Sequence, residues 1–145
     1  MPVLVSACLV GVHCRYDGSS RPDLAPRIPD NRILIPVCPE QLGGLPTPRP
    51  PALLCGGDGR DVLSGRASVL SQDGQDVTEK FMRGALETVG IAKKLCVQEA
   101  YLIEKSPSCG VNWVWTTSGL YPGMGVAAAA LTAKGVRVIG LGEPD

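Results

Sequence analysis

The residues best equipped for chemistry in this sequence are its cysteines: Cys8, Cys14, Cys38, Cys55, Cys96 and Cys109. Cys8 follows the apolar string VLVSA, Cys38 follows ILIPV, and Cys109 follows YLIEK by a short loop. If those strings are strands of one parallel sheet, their carboxyl ends lie together. Open α/β sheets bind ligands in the crevice beyond those ends, so cysteines placed there would converge. Each is flanked by polar or turn-forming residues (Ser6, Pro39, Glu40, Ser108, Gly110), which suit a site better than a dry interior. Cys14, six residues after Cys8 in the same loop, can reach the same place. Cys55 and Cys96 read as small apolar packing residues, Cys96 on the apolar face of a helix.

Clustered thiols bind metal or act as nucleophiles. A structural zinc site usually carries a CxxC knuckle, and none is present. Dispersed, thiolate-only ligation suits an iron-sulfur cluster, and three protein ligands for four irons leave one iron open as a Lewis acid. The metal-free alternative is a cysteine nucleophile with His13, the single histidine, as its base. A zinc-stabilised or electron-transfer binding module is the non-enzymatic alternative.

Around the cysteines stand further candidates. Glu40, two residues beyond Cys38, is placed to act as a general base or is a solvated loop acid. Lys105, Ser106 and Ser108 bracket Cys109 and could orient a substrate, or decorate and stabilise a turn. Arg15 and Asp17 offer a donor and an acceptor edge to a base, or pair with each other. The PGMG turn, through Gly123 and Gly125, presents amides and a helix N-terminus to an anionic group, or simply turns into the helix.

Four apolar segments must position these residues: Val3 to Ala7, Ile33 to Val37, Tyr101 to Ile103 and Val136 to Ile139. Pro36 marks the second as short, irregular or at an edge. A helix spans roughly Val77 to Val97, where Phe81, Met82, Ala85, Leu86, Val89, Ala92, Leu95 and Cys96 form one apolar face. Asp76 and Glu79 have the spacing of a capping box, and Gly90 weakens this helix without ending it. A second helix runs from about Met124 to Lys134, stopped by Gly135. Residues 52 to 72 can hold a hairpin with Leu53, Leu54, Val69 and Leu70 as its apolar ends. This order predicts a single α/β domain over residues 1–145, a mainly parallel open sheet with flanking helices and long Pro/Gly-rich loops. Nine of the 13 prolines fall between Pro22 and Pro51, so that region is pre-ordered loop rather than linker.

Composition sets limits on partners. Lys+Arg and Asp+Glu both number 14, so no global positive field exists to hold nucleic acid or an anionic membrane. The N-terminus lacks the features of a secretory signal and no apolar run reaches spanning length, which predicts a soluble, cytoplasmic protein. In that reducing compartment, and with a core of this size, disulfides are neither favoured nor needed.

Together and in this order, SACLVGVHCRYDG, PVCPEQLGGLPTPRPP, EKSPSCG and PGMGVAAAAL resemble the TudS-type thiouracil desulfidase family, from near residue 3 to about residue 140. The resemblance implies a 4Fe-4S cluster on three cysteines, which fall on Cys8, Cys38 and Cys109, with Cys14 as the alternative third ligand. The open iron would take the thiocarbonyl sulfur of thiouracil or a related thiopyrimidine. It further implies Glu40 as acid-base residue, helped by Ser106 or Ser108, and non-redox release of hydrosulfide. Some members carry an additional C-terminal domain absent from these 145 residues. The implied partner is therefore a small base, nucleoside or nucleotide rather than a large RNA.

Overall fold

The computed structural model describes residues 1–142. In chain order it contains β1 (Pro2–Ser6), a 3-10 turn (Ala7–Val10), a second 3-10 turn (Pro22–Arg27), β2 (Ile33–Val37) and α1 (Pro39–Leu42). There follow β3 (Ala52–Cys55), α2 (Gly59–Leu63), β4 (Ser68–Ser71), α3 (Thr78–Lys94) and β5 (Glu99–Ile103). The chain continues through β6 (Trp113–Thr116), β7 (Gly119–Pro122), α4 (Val126–Ala133) and β8 (Arg137–Leu141).

All four predicted strands form one sheet, in the order β2-β1-β5-β8, with every neighbouring pair parallel. β1 is central, and Val3, Leu4 and Val5 are fully buried, which is why it reads as an unbroken apolar run. β2 is an edge strand, where Pro36 costs no ladder hydrogen bond on the open side and Ile33 stays 64% exposed. From β1 the chain moves to one side of the sheet, then crosses back to place β5 on the other. Loops leaving β1 and β5 therefore diverge, and a crevice opens between their carboxyl ends.

A second sheet, β4-β3-β6-β7, stands beside the first. Residues 52 to 72 supply an antiparallel pair from the four expected apolar residues, with Leu53 opposite Leu70 and Leu54 opposite Val69, but α2 rather than a short turn connects its strands. The β6–β7 hairpin, with Trp113 opposite Pro122, is an element the sequence reading lacked. α3 and α4 pack on each other and reach both cores: Ala92, Ala128 and Leu131 join the parallel-sheet core, whereas Phe81, Ala85, Val126 and Ala130 join the second. Among the described residues no helix is long and apolar enough to cross a membrane.

Three local expectations need correction. α3 stops at Lys94, so Cys96 lies beyond its end, exposed and in the left-handed region at φ 55°, not on an apolar helical face. Leu86 and Leu95 are likewise exposed. The Asp76–Glu79 capping box is not formed, because Val77 is the N-cap and Asp76 Oδ1 accepts from the amide and hydroxyl of Thr78 at 2.9 and 2.6 Å. Gly90 does sit within the helix, and Gly135 does adopt the left-handed stop, at φ 84°.

Candidate active site

Each site cysteine is held by the strand end before it. Cys8 lies in the 3-10 turn after β1, where its carbonyl accepts the amide of Arg21 at 2.8 Å. Cys38 is the N-cap of α1, and Pro39 follows at the first helical position, where a missing amide costs nothing. α1 is pressed on α3 through two glycines: a Cβ at Gly84 would collide with the Pro39 carbonyl, and one at Gly43 with the Lys80 carbonyl.

The Cys109 loop is held from two directions. Glu104, buried at the end of β5, accepts the amides of Val111, Asn112 and Trp113 at 2.8, 3.0 and 3.2 Å and the Asn112 side-chain amide at 2.7 Å. From the other side, the first amides of α4 donate to the loop: Val126 to the Pro107 carbonyl at 2.9 Å, Ala127 and Ala128 to the Ser108 carbonyl at 2.9 and 3.1 Å. Gly125 is required there, since a Cβ would strike that same Ser108 carbonyl. Four orphan amides are normal at a helix start, and here the loop takes up three of them.

These constraints bring Cys8, Cys14, Cys38 and Cys109 to one cavity of about 430 Å³, which Arg15, Glu40, Lys105, Ser106 and Ser108 also line. All are free thiols, Cys38 half-buried and the others buried. The Cys38 thiol donates to the Cys14 carbonyl at 3.7 Å. Burial pushes the Cys109 thiol up to about 12, opposed by hydrogen bonds from Ser6 and Ser108 and reinforced by the nearby Cys38. At Cys14 a hydrogen bond from Cys38 lowers the pKa, but a hydrogen bond with Cys8 and burial outweigh it, raising it to about 11. Cys38 is raised as well, as donor to Cys14 and by burial. Coordination to a cationic centre acts in the opposite sense and deprotonates a bound thiol.

Glu40 and the two serines form one hydrogen-bonded unit. Glu40 Oε2 accepts from Ser108 Oγ at 3.0 Å and lies 3.4 Å from Ser106 Oγ, and the two hydroxyls are 3.0 Å apart. Ser106 Oγ also accepts the amides of Ser108 and Cys109, both at 3.1 Å. The other carboxylate oxygen, Oε1, accepts from Arg49 Nε at 3.0 Å.

Other candidates lie elsewhere. Asp17 is exposed and accepts from the amide and hydroxyl of Ser19 rather than facing the cavity with Arg15. His13 is exposed and does not line the cavity. Gly123 and Gly125 do not line it either: their amides donate to Asn112 and Gly110 carbonyls at 3.0 and 2.8 Å, so the PGMG turn fastens the Cys109 loop.

A sequence profile of 2-thiouracil desulfurases matches residues 3–142. The chain belongs to that family. It is accordingly a desulfidase acting on a carbon-sulfur bond. Its relatives include the uncharacterized protein YbbK of Bacillus subtilis (strain 168), 43% identical over 97% of this chain and 96% of that one. The fold is similar to that of a solved 4Fe-4S-dependent thiouracil desulfidase, TudS, with a TM-score of 0.78 and 34% identity over 96% of this chain and 89% of that chain.

The donor set can be tested against such a cluster. Among the described residues no three His, Cys, Asp or Glu side chains close tightly enough to hold a metal ion. Four free cysteine thiols nevertheless line the one cavity. The all-sulfur donors suit iron-sulfur chemistry.

Sequence reasoning missed four contributors. Arg49, buried within PTPRPP, carries an unusual charge for an interior and was signalled only by its rigid proline setting. Glu104 had the signal of a lone acid ending an apolar strand. Trp115 and Tyr16 line the cavity while remaining 44% and 41% exposed, and only the fold shows that their exposed rings belong to it.

Proposed function

We propose that this cavity converts thiouracil, or a related thiopyrimidine presented as base, nucleoside or nucleotide, to the oxo-pyrimidine with release of hydrosulfide and no net redox change. The observation that carries the reading is the convergence of Cys8, Cys38 and Cys109 with the Glu40–Ser108–Ser106 unit on one cavity. A 4Fe-4S cluster held by those three cysteines would supply an open, Lewis-acidic iron with affinity for a thiocarbonyl sulfur.

The chain's own groups then have distinct tasks. Tyr16 and Trp115 offer flat faces to a pyrimidine ring, and Arg15 and Lys105 supply donors to its oxygens. Glu40, held at the cavity wall, takes a proton from the attacking water as the new carbon-oxygen bond forms. The Ser108 and Ser106 hydroxyls hold Oε2 and can carry the proton onward to the ring or the departing sulfur. Water provides the oxygen, the carbon-sulfur bond breaks with its electron pair on sulfur, and hydrosulfide leaves.

The test is turnover of 4-thiouracil in ¹⁸O-labelled water without reductant. One labelled oxygen in each uracil and one hydrosulfide per turnover are expected. An absolute requirement for an electron donor, or unlabelled product, would overturn the hydrolytic reading.

A further inference from the structure

Arg49 is buried, with its side chain only 4% exposed, and it spends its guanidinium on two loops at once. Nε donates to Glu40 Oε1 at 3.0 Å, and Nη2 donates to the Cys14 carbonyl at 2.9 Å. Nη1 donates to the Pro46 carbonyl at 3.1 Å and to Thr47 Oγ1 at 2.8 Å. The backbone amide adds a bond to the Tyr16 carbonyl at 2.8 Å. Only a planar fork with five donors can meet these acceptors together; an ammonium on a flexible stem cannot.

The acceptors matter more than their number. The Cys14 carbonyl is also the acceptor of the Cys38 thiol, so the fork reaches the backbone on which two of the cavity's cysteines meet. At Glu40 the fork engages Oε1 alone and leaves Oε2 to the serines. A carboxylate that could rotate freely would present either oxygen. One pinned on a single side presents the same oxygen at every turnover.

We propose that Arg49 is a positioning residue for desulfidation: it locks Oε1 of Glu40 so that Oε2 is the oxygen that handles the proton, and it ties that carboxylate to the Cys14 loop. This inference rests on the reading of Glu40 as the base. Because Arg49 acts through Glu40, removing both residues costs no more turnover than removing Glu40 alone. Groups that work as a unit are non-additive in this way, whereas independent groups multiply their effects.

The experiment compares Glu40→Gln, Arg49→Ala and the double variant in single-turnover desulfuration of 4-thiouracil by holoenzyme of matched iron content. Each single variant is expected to lose on the order of 100-fold or more in the rate at saturating substrate, with a much smaller change in substrate affinity. The double variant should match Glu40→Gln. Guanidinium chloride at non-denaturing concentration should restore rate to Arg49→Ala, but not to the double variant, and sodium chloride should restore neither. Arg49→Lys, which keeps the charge without the fork, should remain well below the wild-type rate; it carries the comparison if Arg49→Ala fails to fold.

A readout independent of turnover is the ¹⁵N NMR signal of the Arg49 Nε–H, which should be protected from solvent exchange and shift in Glu40→Gln. Multiplied losses in the double variant, a full rate in Arg49→Ala, or an Nε signal indifferent to Glu40→Gln would overturn the inference. Near-normal turnover in Glu40→Gln is a different failure: it sinks the reading of Glu40 as base, and this inference falls with it.

Discussion

The hydroxyl of Ser108 donates to Oε2 of Glu40 at 3.0 Å, although the two residues lie 68 positions apart in the chain. One sits in the first turn of the short helix after β2, the other in the loop after β5. Their contact joins the chain segments carrying Cys38 and Cys109 at the site's only carboxylate hydrogen-bonded to cavity serines among the described residues.

Replacing Glu40 with Gln is expected to preserve the cluster and substrate binding while lowering single-turnover desulfuration by about a hundred- to ten-thousand-fold, the usual worth of general acid-base assistance. Gln keeps the size and can still accept from a serine but cannot take a proton. Normal iron content with a wild-type rate would remove Glu40 from the chemistry; loss of iron would recast it as structural.

The two serines should separate. Ser106 Oγ accepts the amides of Ser108 and Cys109, so Ser106→Ala leaves those donors unpaired and is expected to loosen the Cys109 loop, read as faster loss of iron on chelator challenge. Ser108→Ala removes the closer contact to Glu40 and should slow turnover with iron retained. Equal iron retention with equal rates in both variants would contradict this division.

The proposed ligand set, Cys8, Cys38 and Cys109, is open to substitution one thiol at a time. Cys8→Ala, Cys38→Ala and Cys109→Ala should each prevent stable cluster assembly, whereas Cys55→Ala and Cys96→Ala, altering thiols outside the cavity, should not. Iron and sulfide counts on anaerobically reconstituted variants check this. A full cluster in Cys38→Ala, with loss in Cys14→Ala, would transfer the third ligand to Cys14.

A stability prediction follows from Gly84. Alanine in a helix is ordinarily favoured over glycine by about 1 kcal/mol. Here the added methyl would meet the Pro39 carbonyl, and overpacking of that kind costs about 1–3 kcal/mol. Gly84→Ala is therefore expected to lower the melting temperature and, by shifting α1, to weaken the site that Cys38 and Glu40 share. A raised melting temperature would show that α1 can yield at little cost.

Much of this was legible because local pattern and tertiary role agree. Val3 to Val5 are apolar without alternation since β1 is buried on both faces, and Leu53, Leu54, Val69 and Leu70 mark an antiparallel pair that forms, although α2 rather than a short turn connects it. The convergence of three strand-end cysteines needed only a parallel sheet. Legibility failed where the outcome depends on distant contacts. Helical spacing continues past Lys94 to Cys96, but the chain turns left-handed there and the last apolar residues face solvent. In WVWTTSGLYP the alternation of buried Val114 with exposed Trp115 is strand-like, yet the segment is short and its hairpin joins the sheet only through β3, with Thr116 opposite Leu54. The role of Arg49 was not legible because its site partners Glu40 and Cys14 lie 9 and 35 residues away, across a loop whose course the proline pattern alone does not define.

The central claim, that a thiol-held cluster in this cavity performs the desulfuration, is tested most directly by measuring hydrosulfide release from 4-thiouracil against iron content in one anaerobic reconstitution series. The protein should be brown and approach about four irons per chain, as a cubane requires. Initial rate should rise in proportion to cluster and vanish on chelation. Undiminished release by chelated, iron-free protein, or a colourless protein active with stoichiometric zinc, would contradict it.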